Sequence, residues 1–413
     1  MTLHFPETPN ASSPGPAESP PASPGLVRPR LWRREWATAS ATPAGFVVLL
    51  FVVFGLWLGG TWLNTADWVF DAYQNVPELL IGIGVMVALS CGQFDLSAGN
   101  MATLSCFLTV GLTVNQGLPL WVALVVAAVV GIAGGLLNAF LVVNLRINAF
   151  IATLGTGGVF TGISTLYSGG QTISYSSSTS VAAHVRWFTG TNSFGSFQEH
   201  VPIALAWILV LVLLGCLSAA LRLTLADARR PRLRDAAIAA LAVLIAVLAQ
   251  VVGIPGRIDW TIFLLLVVAI VVWIVMRQTA LGRNIMATGG NPAAARLAGI
   301  RTNRLVVLVF VISGLFAALS GVVLAADQGT AVPNIADGYL LPAYAAAFLS
   351  TVIFSNGRFH LWGTVAGGLA VVYIAQGLVT GGVPFTWTDL INGAVLIVAV
   401  ALSTTLRRAI TTR

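Results

Sequence analysis

Long runs of hydrophobic residues alternate with short polar connections along most of the chain. Most of these runs are close to the about 20 residues that an α-helix needs to cross a lipid bilayer. The pattern therefore predicts transmembrane helices. Twelve runs fit this description, at approximately 44–63, 77–92, 97–115, 119–143, 149–168, 202–221, 236–254, 259–276, 305–325, 339–355, 362–381 and 387–405.

The number of complete crossings stays open at this point. The runs at 77–92 and 339–355 are shorter than the others, so one or both could be re-entrant. Composition supports the membrane class, because 57% of the residues are hydrophobic and only 8% are charged. A soluble domain carries about 25% charged residues. We therefore predict an all-α, polytopic membrane bundle of about 10–12 transmembrane helices.

The basic residues predict how these helices are oriented. All 21 are Arg, and nineteen fall on one side of the membrane when the N-terminus is placed in the cytoplasm. Only Arg186 and Arg257 fall on the other side. Cytoplasmic loops of membrane proteins carry this excess, so we expect both termini to be cytoplasmic. Most arginines lie in a few short connections and form no continuous basic face for a phosphate backbone, so we interpret them as topology signals. We expect membrane lipid as a partner and no nucleic acid.

Polar segments divide the chain further. Residues 1–43 are rich in Pro, Ser, Ala and Thr, which predicts a disordered cytoplasmic tail before a membrane domain at 44–408. Two connections are long: 169–201 on the outer side and 277–304 on the cytoplasmic side. They suit a protein that meets a different partner on each side, although an ordinary linker explains the outer one equally well.

The cytoplasmic connection contains the pattern of a short, capped helix. Asn291 is a favoured N-cap, and Pro292 then occupies the first helical position, where its missing N–H costs nothing. Gly299 is a typical stop after good helix formers. Because a helix of this length is unstable in isolation, it must pack either on its own membrane domain or on a partner protein. The residues of the pattern are Gly289, Gly290, Asn291, Pro292, Ala295, Arg296, Leu297 and Gly299.

Absent residue types exclude several chemistries. The chain has no Lys, so it cannot form a standard P-loop or a Schiff base, and any ATP must bind to a partner. We expect no cofactor in this chain. Cys91, Cys106 and Cys216 lie in or beside apolar runs, and the four histidines are scattered, so we expect no metal site.

Three motifs resemble one family of transport proteins. Residues 287–300 are similar to the ATPase-contacting loop of the ribose/xylose-type ABC sugar permeases. Residues 92–99 read Gly-Gln-Phe-Asp-Leu-Ser-Ala-Gly, similar to the family's G-x-x-D-L-S-V-G motif with Ala98 in place of Val. A third match begins at 146–155 and continues at 166–173, whereas the resemblance weakens after about residue 340.

This resemblance implies the membrane-spanning permease subunit of an ATP-driven monosaccharide importer in the bacterial cell (inner) membrane. It further implies a homodimer, an ATP-binding cassette subunit that binds the ATP, and an extracytoplasmic sugar-binding protein. Residues 277–304 would then be the coupling loop of a permease domain, and the chain itself would not be an enzyme. Pentose, hexose and sugar alcohol all remain compatible.

Polar residues within or between the apolar runs are candidates for the translocation pathway. Asp95 stands between two runs, so it either caps a helix that begins at Leu96 or lines the route. Polar side chains in membranes also commonly join helices by hydrogen bonds, so each candidate has two interpretations. The candidates are Asp95, Ser97, Asn100, Asn138, Asn148 and Gln376.

The main rival function is a proton-coupled secondary sugar transporter in which Asp95 titrates. The scarcity of carboxylates within the apolar runs argues against it, and so does the capped cytoplasmic helix, which symport does not need. A membrane enzyme is disfavoured because no nucleophile–base pair is visible. A channel would leave the cytoplasmic helix unexplained.

Overall fold

The computed structural model describes residues 50–62, 65–175, 260–353 and 358–411. These residues form a helical bundle, and residues 50–58 are also helical. The labelled helices are α1 (Thr65–Gln74), α2 (Val76–Ser90), α3 (Ala98–Val114), α4 (Leu120–Ala139), α5 (Ala149–Ser168), α6 (Trp260–Gln278), α7 (Ala280–Gly290), α8 (Pro292–Leu297), α9 (Thr302–Gln328), α10 (Leu340–Ile353), α11 (Leu361–Thr380) and α12 (Thr388–Thr411).

The apolar runs that lie within the described residues form helices close to their predicted bounds, which confirms the all-α class. The run at 149–168 is α5, and the run at 305–325 lies inside the longer α9. The tail at 1–43 and the runs at 202–221 and 236–254 lie outside the described residues. The division of the whole chain into a tail and a permease domain therefore stays a prediction.

Five helical segments in the described ranges are long and apolar enough to cross a bilayer. Helices α6 and α7 make a sixth if they count as one span, although they are bent by 72° at their junction. Helices α2, α3 and α10 are shorter, with 15, 17 and 14 residues. The five segments are Leu120–Asn144, Ala149–Ser168, Thr302–Gln328, Leu361–Thr380 and Phe385–Thr404.

Helix α9 lies at the centre of the bundle and packs against α2, α3 and α4. Small residues allow these helices to approach closely, as is common in membranes. Where α4 meets α9, Gly131 lies against Gly314, and a Cβ on Gly135 would collide with the backbone of Phe310. Helix α2 is buried along all fifteen residues, so neighbouring helices surround it completely.

A two-residue antiparallel strand pair is the one β-sheet in the part of the chain described. Strand β1 (Ile173–Ser174) pairs with β2 (Thr330–Ala331), and Ile173 lies opposite Ala331. The pair ties the segment after α5 to the end of α9. Two such short strands leave the fold class unchanged, but an apolar-run pattern does not predict them.

The connection predicted at 277–304 is mostly helical. Helix α6 continues to Gln278, and α7 follows after Thr279, whose hydroxyl accepts a hydrogen bond from the Gly282 N–H. Gly289 and Gly290 precede the short helix as predicted, but they belong to the last turn of α7. A Cβ on Gly289 would collide with the carbonyl oxygen of Ser90. Glycine here permits close contact between α7 and the end of α2.

Candidate functional site

The short capped helix predicted from the sequence is present as α8. The Asn291 side-chain oxygen accepts hydrogen bonds from the N–H groups of Ala293 and Ala294, at 3.1 and 3.0 Å. Pro292 occupies the first helical position. The chain leaves the helix through Gly299 with a φ of +81°, a left-handed conformation that glycine adopts without strain.

Helix α8 has one buried side and a larger exposed side. Ala295 is buried, and α8 packs against α7 and α9. Arg296 is exposed, and 91% of Leu297 is exposed. Packing on its own membrane domain thus accounts for the Ala295 side only. The arginine and the leucine present a charged and an apolar group together on the other side.

Asp95 lies in the connection between α2 and α3 and is almost fully buried. Its Oδ1 accepts hydrogen bonds from the Ser97 N–H at 3.0 Å and from the Ser97 hydroxyl at 2.6 Å. Its N–H donates to the Tyr344 hydroxyl at 3.0 Å. Helix α3 begins at Ala98, two residues later than the start predicted at Leu96. Asp95 therefore holds the turn that leads into α3 and is not the N-cap of a helix at Leu96.

Asn138 extends this arrangement to two further helices. Its Nδ2 donates to the Ser97 hydroxyl at 2.9 Å, and its Oδ1 accepts from the Thr156 hydroxyl at 2.5 Å. Asp95, Ser97, Asn138 and Thr156 thus form one continuous buried chain of hydrogen bonds, the Asp95 network. The network joins the α2–α3 connection to α4 and α5, and through Tyr344 to α10.

Asn100 lies outside this network and joins different elements. Its Nδ2 donates to the Thr161 hydroxyl at 2.9 Å and to Asp337 Oδ1 at 3.2 Å. Thr161 belongs to α5, and Asp337 begins a short 3₁₀ turn, Asp337–Tyr339, before α10. Asn100 therefore connects α3 to two other parts of the bundle.

The last two sequence candidates lie apart from the first four. Asn148 is the exposed N-cap of α5, where its Oδ1 accepts the Phe150 N–H at 2.9 Å. Gln376, on α11, donates to Asp71 Oδ1 at 2.9 Å. Burial raises the pKa of the Asp71 carboxyl above its ordinary value, and the hydrogen bond from Gln376 partly offsets that effect. Gln376 also lines a large cavity at this end of the bundle.

Several residues of these contacts were missed by sequence reasoning. Thr153 accepts the Leu96 N–H at 3.0 Å, and a threonine within an apolar helix gives no signal of that role. Glu78 gave a clearer signal, because it is a carboxylate just inside an apolar run, where such groups are costly and often functional. Within the described ranges, no group of three or more His, Cys, Asp or Glu side chains could hold a metal ion.

Bilayer-length helices joined by buried polar contacts, with an exposed capped helix at one end, are typical of a membrane transport protein. The chain belongs to the family of permease components of branched-chain amino acid transport systems, whose family model matches residues 72–400. The fold and the family together establish it as a membrane permease.

Named relatives agree with this assignment. The autoinducer 2 import system permease protein LsrC of Enterobacter sp. (strain 638) is 29% identical over 354 residues, 84% of this chain and 81% of the relative. The fructose import permease protein FrcC of Rhizobium meliloti is 24% identical over 372 residues, 90% of this chain and 87% of the relative. These matches confirm the resemblance to ABC sugar permeases that the three motifs indicated. No solved structure matches the chain.

Proposed function

We propose that this chain is the membrane-spanning subunit of an ATP-driven monosaccharide importer in the bacterial inner membrane. The family supports the permease role, and the name of the FrcC relative supports a simple sugar as cargo. The chain has no Lys with which to build a P-loop, so a partner subunit binds the ATP. An extracytoplasmic binding protein delivers the sugar, as the import systems of the relatives suggest.

The exposed surface of α8 carries this proposal. Leu297 offers an apolar contact and Arg296 a charge, on a helix whose ends are fixed by a cap and by Gly299. A cytoplasmic ATPase subunit that encloses α8 would bury Leu297 and could pair with Arg296. Because Gly289 rests on the end of α2, movement of α7 and α8 would act directly on the buried helix α2.

Helix α5 supports a homodimer. It presents exposed Ile151 and Leu154, which are 65% and 60% exposed. Gly155, Gly158 and Gly162 lie on the same helix, and an added Cβ at any of them meets no atom of the described structure within 4 Å. Small residues of this kind let two membrane helices approach closely. A second copy of the chain is the partner that we propose for this surface.

Co-expression with a candidate ATP-binding subunit from the same organism tests the coupling role. We expect a complex that is stable in detergent and that Arg296→Glu and Leu297→Ala each weaken at least tenfold, because both side chains lie on the exposed side of α8. The amount of ATPase subunit retained on the purified permease is the measurement. Arg301→Glu, an equal charge change at an exposed site just beyond α8, is the matched control. Unchanged retention in both α8 variants would contradict the proposal.

A further inference from the structure

A cavity of about 710 Å³ lies between α1, α2, α11, α12 and the Asp337–Tyr339 turn. This volume falls within the about 300–1,000 Å³ that is usual for small-molecule sites. The cavity is at the end of α2 opposite to Gly289, and fifteen residues of helix separate the two ends by about 22 Å. If α8 faces the cytoplasm, this cavity opens towards the outside.

Glu78 is the unusual residue of this cavity. It is 94% buried, since only 6% of its surface is exposed, and it lines the cavity from the first turn of α2. Its Oε1 has no hydrogen-bond partner among the residues that the structure describes. A buried carboxyl oxygen in that position is unfavourable unless a donor comes from a ligand. Buried carboxyl groups in membrane proteins commonly mark a substrate route.

The remaining polar lining consists of amides, hydroxyls and a second carboxylate, that of the exposed Asp389. Asn75, Gln376 and Asn392 contribute amides that can both donate and accept, and Tyr339 and Thr386 contribute hydroxyls. Such groups, together with the carboxyls of Glu78 and Asp389, match the alternating donors and acceptors of a polyhydroxylated molecule.

Apolar and charged groups narrow the ligand class further. Phe385, which is 76% exposed, stands at the rim, and Val371 and Val372 give the cavity an apolar wall suited to the carbon skeleton of a sugar. No Arg or His is among the described lining residues, which disfavours an anionic ligand. A divalent cation prefers six or more oxygen ligands with several carboxylates, and the described residues contain no such cluster.

We propose that this cavity is the outward subsite at which the permease itself binds a neutral monosaccharide, with Glu78 accepting a hydrogen bond from a sugar hydroxyl. The inference rests on the proposed importer function and deepens it. Substrate recognition then belongs in part to the permease and not only to the binding protein. Gln376, a pathway candidate from the sequence, contributes to this subsite, whereas the Asp95 network does not.

Direct binding of radiolabelled D-ribose, D-xylose and D-fructose to the full-length permease in nanodiscs tests this subsite. We expect saturable binding of at least one sugar, weakened at least tenfold by Glu78→Ala and by Asn392→Ala, because each change removes a hydrogen-bonding group. Asp67→Asn replaces an exposed carboxylate on neighbouring α1 and is the matched control, with unchanged binding expected. Should Glu78→Ala fail to fold, Thr386→Ala, at an exposed rim position, replaces it and is expected to weaken binding as well.

Uptake of the same sugars by the complete complex in proteoliposomes separates the two proposals. If the complex takes up sugar but the cavity variants leave sugar binding unchanged, the subsite proposal is wrong and the importer proposal stands. The same conclusion follows if uptake occurs without any saturable binding to the permease. If the variants weaken sugar binding but the complex shows no ATP-dependent uptake, the subsite proposal is supported and the importer proposal is wrong. Stabilisation of the permease by Na⁺ or Ca²⁺ alone, lost in Glu78→Ala, would replace the sugar with a cation and overturn the proposal.

Discussion

Asp95 shows how a carboxylate can be buried in a membrane protein by hydrogen bonds to neutral groups, the partners it has among the described residues. Its Oδ1 accepts two hydrogen bonds from Ser97, and Asn138 and Thr156 continue the chain of donors and acceptors. In a low-dielectric interior, a satisfied network of this kind fixes one arrangement of its helices. Asp95 therefore has a structural role in the turn before α3, and its place on the translocation route stays a prediction.

Replacing Asp95 distinguishes the importer from the proton-coupled rival. Asp95→Asn keeps the Oδ1 acceptor, so we expect ATP-dependent uptake to persist and stability to change by less than about 1 kcal/mol. Asp95→Ala removes the acceptor of two donors and should cost about 2–4 kcal/mol. Thermal unfolding and uptake are the measurements. Loss of uptake in a folded Asp95→Asn protein, together with collapse by an uncoupler at constant ATP, would favour proton coupling.

His360 makes the stability of the folded bundle depend on pH. Burial, together with the positive charge of Arg277, lowers the pKa of this imidazole to about 4. In an unfolded chain the pKa of a histidine is about 6.5. Between these two pH values the imidazole is therefore neutral in the folded protein and protonated in the unfolded chain. Its contribution to stability is present above about pH 6.5 and is lost as pH falls from there towards 4.

We therefore expect the thermal midpoint to fall between pH 7 and pH 5, with about 1–2 kcal/mol of the loss due to His360. His360→Gln should reduce that fall while leaving the backbone hydrogen bond from residue 360 to the Ser350 hydroxyl in place. The other three histidines lie outside the described residues and are unchanged in both proteins, so they contribute equally to the two curves. Identical pH profiles would contradict the assignment.

At the scale of elements, local signals predicted α8 well and α7 poorly. Asn291, Pro292 and Gly299 specify the start and stop of α8 within a few residues, so no tertiary contact is needed to recognise it. Helix α7 contains Arg283, Asn284 and two terminal glycines, which together suggest a polar loop. Its helical state depends on packing against α2, α6 and α9, and that packing is invisible in a local pattern.

The glycines of α4 provide a test of helix packing. Gly135→Ala would place a methyl group against the backbone of Phe310, so the two helices must separate, at a cost of about 1–3 kcal/mol. Gly155→Ala on α5 meets no described atom within 4 Å and is the matched control, expected to be neutral in the monomeric permease. Thermal stability in detergent measures the difference. Equal effects of the two substitutions would show that α4 and α9 are not in close contact.

For the whole molecule, hydrophobicity predicts the helices but not their partners. The apolar runs predicted the bounds of α5 and α11 to within a residue or two. This is possible because each membrane-spanning helix must by itself be long and apolar enough for the lipid around it. The contact of Asn100 with Asp337 joins residues 237 positions apart. The cavity likewise requires Glu78, Gln376 and Asn392 to converge from three helices. The spacing of residues along the sequence does not predict such long-range contacts, because they form only when the helices pack together.

Helix α2 has a consequence that extends over the bundle, because it is enclosed on every side and touches both ends of the proposed mechanism. Gly289 rests on its last residue, and Glu78 projects from its first turn into the cavity. If α2 has two positions, sugar in the cavity and an ATPase on α8 each favour one of them. Linkage then demands reciprocity: a factor by which sugar tightens ATPase docking equals the factor by which docking tightens sugar binding.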